Sequence, residues 1–390
     1  MTTARGSGRV LLVSPSAKPG GAERSFVSLA RCLPSRGIAV DAAVLEDGPL
    51  GDWLREAGCP VTVLEAGRLR QPVGVRRTIA ALRTLARARR SAAVVSLMDK
   101  GHVYGGAAAF AAGLPAVWWQ PVIPKKSRFE LVAARVPSAA VVCVCDAAVA
   151  TQRRLTPRKR VVKIESGTAV GELLNRRGSG QLVRAQLGWR DSPLVGIVGR
   201  LQPSKGQHVF LDAIARVRRD HPNARYLVVG GAILGWEGSY PDELRQLTER
   251  LGLNERVHFA GHRDDPVPWI DALDISVLAS SGEGFPLALL EAMVLGKAVV
   301  ATACGGPEEL VRDRIDGLLV PPGDSAQMAC AISALLADDE FALTLGRRAE
   351  RRASEFSDER MAERFARLLD DVVHGARRTA RRDLGVEAAR

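Results

Sequence analysis

The chain has 390 residues, of which 46% are hydrophobic and 25% charged, with a formal net charge of +12. This length exceeds one ordinary hydrophobic core and predicts two domains. No apolar run approaches a membrane span, the amino-terminal run at residues 10–13 is too short for a signal peptide, and the six cysteines lack zinc-site spacing. We therefore expect a cytoplasmic protein with reduced thiols.

The first series of predicted elements alternates short apolar strands with amphipathic helices. The strands are expected at RVLLVS (9–14), IAVDAAVL (38–45), VTVLEA (61–66), AAVVSL (92–97), PAVWW (115–119), AAVVCV (139–144) and VVKIES (161–166). Continuous apolar strands that alternate with helices predict a parallel sheet covered on both faces.

Residues 171–192 interrupt this pattern with glycines and charges, and a second series follows. Its strands are expected at PLVGIVG (193–199), ARYLVVGG (224–231), RVHFAG (256–261), DISVLAS (274–280), KAVVAT (297–302) and GLLVPPG (317–323). We predict an α/β protein with two Rossmann-like, doubly wound domains that face a cleft. The expected boundaries are 1–170, 171–357, and 358–390 for a terminal helix that crosses back to the first domain and carries a basic tail.

Ligands of such sheets bind beyond the carboxyl ends of the strands, so the loops after each strand are the candidate sites. Gly20-Gly21 precedes a helix start, where free N–H groups suit an anion; a tight turn without a ligand is the alternative. Arg200 and Lys205 follow the first strand of the second series. Two cations beside a helix start suit a diphosphate, whereas two solvated surface charges are the alternative.

Two carboxylates follow the strand DISVLAS, Glu283 in a loop and Glu291 on an apolar helix face. A buried carboxylate without partners costs several kcal/mol, so it needs a salt bridge, a metal or a donor-rich ligand. Metal binding is poorly supported because the chain has no Asp-x-Asp and no histidine near either residue. A sugar or ribose is the natural hydroxyl donor, and a structural pair with Lys297 is the alternative.

The segment SSGEGFPLALLEAMVLGKAVVAT resembles the Glu-x7-Glu signature of the group 1 retaining glycosyltransferases of family 4, which have the GT-B fold. GRLQPSKGQ resembles that family's Gly-Arg-Leu…Lys-Gly loop, GGAE its amino-terminal glycine loop, and ACGGPEELVRDRIDGLLVPPGD its stretch after the glutamate pair. The four segments occur in the family's order over nearly the whole chain.

The resemblance implies a role for each matching residue in binding a nucleotide-diphosphate-sugar, UDP- or GDP-linked. Arg200 and Lys205 would hold the diphosphate, and Gly21 would approach it from the first domain. Glu291 would bind the ribose hydroxyls. The sugar would contact Glu283 and the backbone of Gly284, Phe285 and Pro286, and the nucleobase would lie near His262 and Arg263.

The resemblance also implies transfer with retention of anomeric configuration, in which the leaving diphosphate takes the acceptor's proton. Arg200, Lys205 and Glu283 would be the catalytic residues, with no cofactor and no metal, because the two cations stabilise the charge on the leaving group.

The chain departs from the family near the reacting centre. The family often has a histidine after the strand that matches PAVWW, where this chain has Gln120, and the nearest histidine is His102. His102 and Gln120 are predicted to line the sugar or acceptor pocket; a loop histidine at a helix start without a ligand is an alternative of equal weight for His102.

The basic residues concentrate in residues 1–185, which hold 29 of the 55 Lys+Arg and 12 of the 43 Asp+Glu. An anionic partner is therefore expected. Residues 75–90 predict a basic helix that could dock on anionic lipid at the inner face of the membrane; a solvated arginine-rich face is the alternative. Its patch residues are Arg76, Arg77, Arg83, Arg87 and Arg90.

The predicted function is therefore a retaining glycosyltransferase whose acceptor is a lipid-linked or cell-envelope glycan. A soluble enzyme of natural-product or cyclitol biosynthesis and a GT-B sugar-nucleotide 2-epimerase are the alternatives, and a degenerate, non-catalytic sugar-nucleotide binder is disfavoured by the intact Arg200, Lys205 and glutamate pair. Nucleic-acid binding is disfavoured because aromatic residues are only 5% of the chain and no familiar module is present.

Overall fold

The computed structural model describes residues 8–66, 70–232 and 238–383. The chain forms two compact units. The first unit comprises Met1–Gly167 and Asp358–Arg390, and the second unit comprises Thr168–Ser357.

The sheet of the first unit has seven parallel strands in the order β3-β2-β1-β4-β5-β6-β7. Its strands are β1 Gly8–Ser14, β2 Ile38–Val44, β3 Val61–Val63, β4 Ser91–Leu97, β5 Ala116–Gln120, β6 Ala140–Cys143 and β7 Val161–Lys163. The helices between them are α1 Gly21–Cys32, α2 Pro49–Glu56, α3 Pro72–Ala88, α4 Met98–Ala112, α5 Arg128–Arg135 and α6 Asp146–Leu155.

The second unit has six parallel strands in the order β10-β9-β8-β11-β12-β13. Its strands are β8 Leu194–Val198, β9 Arg225–Val229, β10 Val257–Gly261, β11 Ile275–Leu278, β12 Ala298–Thr302 and β13 Leu318–Val320. Its helices are α7 Val170–Leu174, α8 Gly180–Leu187, α9 Gln207–Val217, α10 Tyr240–Arg250, α11 Val267–Asp271, α12 Leu287–Val294, α13 Pro307–Leu310, α14 Ser325–Ala337 and α15 Asp339–Ala353.

The last helix, α16 (Asp358–Asp383), packs against α1 in the first unit. Its apolar face includes Phe365, which is fully buried with its ring centroid 4.8 Å from that of Trp119. Asp358 at the start of the helix is 1% exposed and accepts a hydrogen bond from Arg31 at 2.7 Å. The helix is thus part of the first unit's hydrophobic core. The basic tail expected after it falls partly on residues 384–390, outside the described residues.

Every predicted strand is present, because strands buried on both faces appear in the sequence as continuous apolar runs. Residues 10–13 in β1, for example, are at most 1% exposed. The strands predicted at 61–66, 161–166 and 317–323 were too long, since β3, β7 and β13 end at Val63, Lys163 and Val320. The segment 171–192, expected only to lack a strand, forms α7 and α8 joined by turns.

Each sheet has one point where consecutive strands run outward in opposite directions, between β1 and β4 and between β8 and β11. Loops that leave the carboxyl ends of such strands diverge and open a crevice, where ligands of doubly wound sheets bind. Gly20-Gly21 follows β1, the Arg200–Lys205 loop follows β8, and Glu283 follows β11.

Candidate functional site

The loop after β8 lies in direct backbone contact with the loop after β11. Gly206 has a φ of +69°, and a Cβ atom there would lie 2.0 Å from the carbonyl oxygen of Ala279. The amide of Ser281 also donates to the carbonyl of Ser204 at 2.9 Å. Only glycine tolerates both the left-handed backbone and this close approach, so Gly206 fixes the two loops against each other.

This contact brings together Lys205 and Glu283, two of the predicted site residues. Lys205 Nζ donates to Glu283 Oε1 at 2.5 Å, and the two side chains are 26% and 11% exposed. Ser280 Oγ donates to the same carboxylate oxygen at 2.7 Å. Ser280 is itself held by Thr302, whose hydroxyl donates to the Ser280 carbonyl at 2.6 Å. The sequence placed Ser280 inside the motif but gave no reason to assign it this role.

Arg200 is half-buried, and its guanidinium makes no ion pair or side-chain hydrogen bond with any residue that the structure describes. Its backbone is fixed, because the buried Gln207 donates from Nε2 to the Arg200 carbonyl at 2.8 Å. A fixed backbone with an unengaged guanidinium is suited to an anionic ligand.

The backbone of residues 283–286 is tied to the loop after β12. Gly306 N donates to the Glu283 carbonyl at 2.8 Å, and a Cβ at Gly306 would lie 2.0 Å from the Gly284 carbonyl oxygen. Gly284, Phe285 and Pro286 are buried. This part of the predicted sugar site is therefore a rigid backbone segment rather than a flexible loop.

Glu291 lies on α12 and is 6% exposed. Arg176 is a nearby cation: its pKa is raised mainly by its hydrogen bonds to Asp265 and further by the charges of Asp265 and Glu291. Lys297, the alternative structural partner considered from the sequence, instead forms its ion pair with Asp271 at 3.4 Å. Arg176 belongs to the segment 171–192, where the sequence offered no motif.

The predicted nucleobase residues follow β10. His262 is exposed, with Nε2 3.2 Å from Asp264 Oδ1, and the guanidinium of Arg263 lies 4.5 Å from the ring centroid of Trp269. Gly231, which follows β9, packs so closely that a Cβ would lie 2.9 Å from that of His262.

In the first unit, Gly21 is the exposed first residue of α1, at the carboxyl edge of β1, and Gly20 before it is extended. The buried Glu23 carboxylate lies beside this helix start, since a Cβ at Gly20 would lie 2.5 Å from Glu23 Oε2. Anion binding at Gly21 stays a prediction.

The structure does not place His102 in a loop, as one interpretation of the sequence had it. His102 lies within α4, is fully buried, and stacks on Trp118 with ring centroids 4.9 Å apart. Its Nε2 is 3.4 Å from the Val136 carbonyl, and burial lowers its pKa to about 3. The imidazole ring is neutral, packs in the hydrophobic core, and has no exposed surface that could contact a sugar.

Gln120 ends β5 and is also fully buried, but it contacts a group that the sequence analysis missed. Its Nε2 donates to Asp99 Oδ1 at 2.7 Å. Asp99 is half-buried in the first turn of α4, and burial raises its pKa to about 6 despite the hydrogen bond from Gln120. Met98 before it has a φ of +57°, a strained value at the edge where ligands bind. The position of Asp99 directly after a predicted strand was the sequence signal that could have identified it as a candidate site residue.

The basic face of α3 is exposed as predicted. All five patch arginines, four on α3 and Arg90 directly after its end, are exposed, and none of them forms an ion pair with a residue in the described ranges. Val73, in the first turn of the same helix, is 73% exposed. No helix in the described ranges combines the length and apolar character needed to cross a membrane.

Comparison with known proteins identifies similar sequences and folds. Residues 192–338 match the family model of group 1 glycosyl transferases. The lipopolysaccharide core biosynthesis glycosyltransferase LpsE of Rhizobium meliloti is 34% identical over 200 residues, which cover 50% of this chain and 56% of that protein. The D-inositol 3-phosphate glycosyltransferase of Mycobacterium ulcerans is 36% identical over 215 residues, 53% of this chain and 45% of that protein. The chain spans about half the length of the curated relatives it matches.

Among solved structures, Anabaena Alr3699/HepE in complex with UDP and glucose superposes with a TM-score of 0.83 and 28% identity, over 92% of this chain and 98% of that one. The sucrose-phosphate synthase of Thermosynechococcus elongatus superposes with a TM-score of 0.80 at 23% identity, over 94% of this chain and 100% of that one. Together with the two parallel sheets, these neighbours confirm the predicted GT-B fold.

Proposed function

We propose that the chain is a glycosyltransferase that moves a sugar from a nucleotide-diphosphate-sugar to an acceptor hydroxyl. One observation carries the proposal: Lys205 and Glu283, predicted for diphosphate and sugar, meet at 2.5 Å at the switch point of the second sheet. The match of residues 192–338 to group 1 glycosyl transferases supports it.

The proposed donor is UDP-linked, with GDP-linked donors as the alternative. HepE, at 28% identity, is described in complexes with UDP, glucose and UDP-glucose, which supports this choice. Arg200 and Lys205 would bind the diphosphate. Because an ammonium group has three N–H donors, Lys205 can keep Glu283 and still donate to phosphate oxygens.

Glu283 would then accept hydrogen bonds from sugar hydroxyls while Lys205 and Ser280 fix its orientation. Glu291 would bind the ribose, with Arg176 balancing its charge, and His262 and Arg263 would lie beside the nucleobase.

We propose a retaining, metal-independent reaction of the family 4 type. The bond from the anomeric carbon to the diphosphate oxygen breaks, and the acceptor oxygen bonds to that carbon on the same face. The acceptor proton passes to the leaving diphosphate. Arg200 and Lys205 would stabilise the negative charge that develops on the diphosphate, a contribution that grows in the transition state and therefore accelerates the step.

The proposed acceptor is a lipid-linked or cell-envelope glycan, reached at the inner membrane surface by a cytoplasmic enzyme. The exposed arginines of α3, which lack acidic partners among the described residues, favour this choice. Such residues contribute about 1 kcal/mol each at an anionic surface.

A thermal-shift panel of nucleoside diphosphates and their sugars tests the donor site. We expect one diphosphate to raise the melting temperature of the wild type, and Glu291→Ala and Lys205→Ala to weaken that effect. Glu283→Ala should reduce transfer much more than it reduces nucleotide binding. Wild-type turnover by Glu283→Ala would overturn the assignment, and a product epimerised at C2 would identify a 2-epimerase instead.

A further inference from the structure

The second unit contains an open groove of about 820 Å³ lined by charged side chains. These belong to the second half of α9, the residues directly after it and the end of α10, and include Asp212, Arg216, Arg218, Arg219, Asp220 and Arg250. Ser325, the first residue of α14, also lines it. Since a helix rises about 1.5 Å per residue, the end of α9 lies roughly 15 Å from its first residue, Gln207, which is two residues after Lys205. None of the predicted donor residues is among the described lining residues, so the groove is separate from the candidate donor site.

Arg218 lines this groove and connects the ends of two helices. Its Nη1 donates to the carbonyls of Leu251 and Gly252 at 2.5 and 2.6 Å. Carbonyls at a helix end have no partner within the helix, so a guanidinium there satisfies them. Gly252 has a φ of +62°, which turns the chain back toward Arg218. These contacts hold the ends of α9 and α10 together without a ligand, so the groove is preformed.

The other three arginines are not used in this way. Arg216, Arg219 and Arg250 are exposed and form no ion pair within 4.0 Å among the residues that the structure describes. Asp324 influences Arg216 electrostatically, but its oxygens accept from the amides of Ala326 and Gln327 at the start of α14. Three guanidinium groups thus share one concave surface with their donors available.

We propose that this groove is a second binding site that takes a phosphorylated sugar or polyol. One guanidinium group can donate to two phosphate oxygens at once, and three guanidinium groups share this surface. The carboxylates of Asp212 and Asp220 can accept hydrogen bonds from hydroxyl groups, and Ser325 can donate or accept.

The size and composition of the groove select this class of ligand. Its volume lies within the roughly 300–1,000 Å³ of small-molecule sites and is larger than an inorganic phosphate needs. Among the described residues that line it, none is aromatic, so a nucleobase would have no ring to stack on. Carboxylates in the lining disfavour a bare polyanion, because they repel it.

Isothermal titration of the full chain with glucose 6-phosphate tests the proposal. The variant is Arg216→Gln/Arg219→Gln, and the matched control is Arg348→Gln/Arg351→Gln, which removes two exposed arginines of α15. We expect the variant to bind glucose 6-phosphate at least about tenfold more weakly than the wild type, and the control to bind like the wild type. Thermal melting verifies that both variants fold.

Equal affinity in the wild type and the variant, or no binding to the wild type at millimolar concentration, overturns the proposal. Orthophosphate that binds as tightly as glucose 6-phosphate overturns the sugar part of the proposal. Glucose that binds as tightly as glucose 6-phosphate overturns the phosphate part. UDP affinity should be the same in wild type, variant and control. Failure of the wild type to bind either UDP or GDP would refute the proposed transferase and leave the groove proposal unaffected.

Discussion

Replacement of Lys205 by alanine tests the ion pair at the centre of the proposed donor site. In the wild type the ammonium lies 2.5 Å from Glu283, whose side chain is only 11% exposed. At an effective dielectric constant of about 20 the gross attraction at this distance is about 7 kcal/mol, most of which offsets desolvation of the two groups. The alanine variant loses the contact to the ligand phosphate and leaves Glu283 with its negative charge facing that phosphate.

We expect Lys205→Ala to weaken binding of the nucleoside diphosphate by about 3 kcal/mol, roughly 150-fold in Kd. The double variant Lys205→Ala/Glu283→Gln removes the stranded charge while Ser280 can still hold the amide. It should recover about 1.4 kcal/mol, or tenfold, relative to Lys205→Ala. Isothermal titration with UDP and GDP measures both effects.

Uridine and guanosine are the controls, because without phosphates they should bind all three proteins alike. Identical affinities of the single and double variants for the diphosphate would refute the electrostatic reasoning. An equal loss for the nucleoside and the diphosphate would show that the substitution damages the fold rather than the phosphate contact.

Three further outcomes are expected. Gly206→Ala should lower the free energy of unfolding by about 3 kcal/mol in urea denaturation, because of the positive φ and the clash with the neighbouring loop. The control Gly199→Ala should cost about 1 kcal/mol or less, because an added Cβ there would have nothing within 4 Å. Similar losses for the two variants would contradict this reasoning. Asp99 has a folded-state pKa of about 6, above the unfolded value of about 4, so the folded protein holds more protons between these values and its stability should fall as pH rises through that window. Asp99→Asn should show a flatter pH dependence of the melting temperature, and an unchanged slope would argue against it. Wild-type protein should sediment with anionic vesicles at low salt and less at high salt. Replacing the five patch arginines by glutamine should abolish sedimentation with the vesicles, whereas the control Arg348→Gln/Arg351→Gln should sediment like the wild type. Equal recovery of the wild type in the supernatant with and without anionic lipid would exclude docking.

The strands, and the meeting of the loops after β8 and β11 at the switch point of the second sheet, could be predicted from the sequence. Strands buried on both faces leave continuous apolar runs, and loops at the switch point of such a sheet are where ligands bind. Arg200, Lys205 and Glu283 were proposed as site residues on that basis and through the family resemblance. The ion pair between Lys205 and Glu283 was not predicted, because a separation of 78 residues says nothing about where the side chains point.

The position of His102 could not be predicted from the sequence for a physical reason. The glycines that flank it in GHVYGG lie inside α4 and permit close packing. A Cβ at Gly105 would lie 2.4 Å from Ser96 Oγ, and one at Gly106 would lie 2.5 Å from His102 Cε1. Sequence pattern does not separate a glycine that turns the chain from one that lets a helix approach a sheet.

The terminal helix α16 has a consequence for the order in which this protein acquires its structure. The second unit is one uninterrupted segment, Thr168–Ser357, whereas the first unit needs residues from both sides of it. During synthesis on the ribosome the first unit therefore cannot complete its hydrophobic core, and Trp119 lacks its contact with Phe365, until α16 emerges. A chain truncated just after Ser357 would keep an intact second unit, whereas its first unit would expose apolar surface and depend on chaperones.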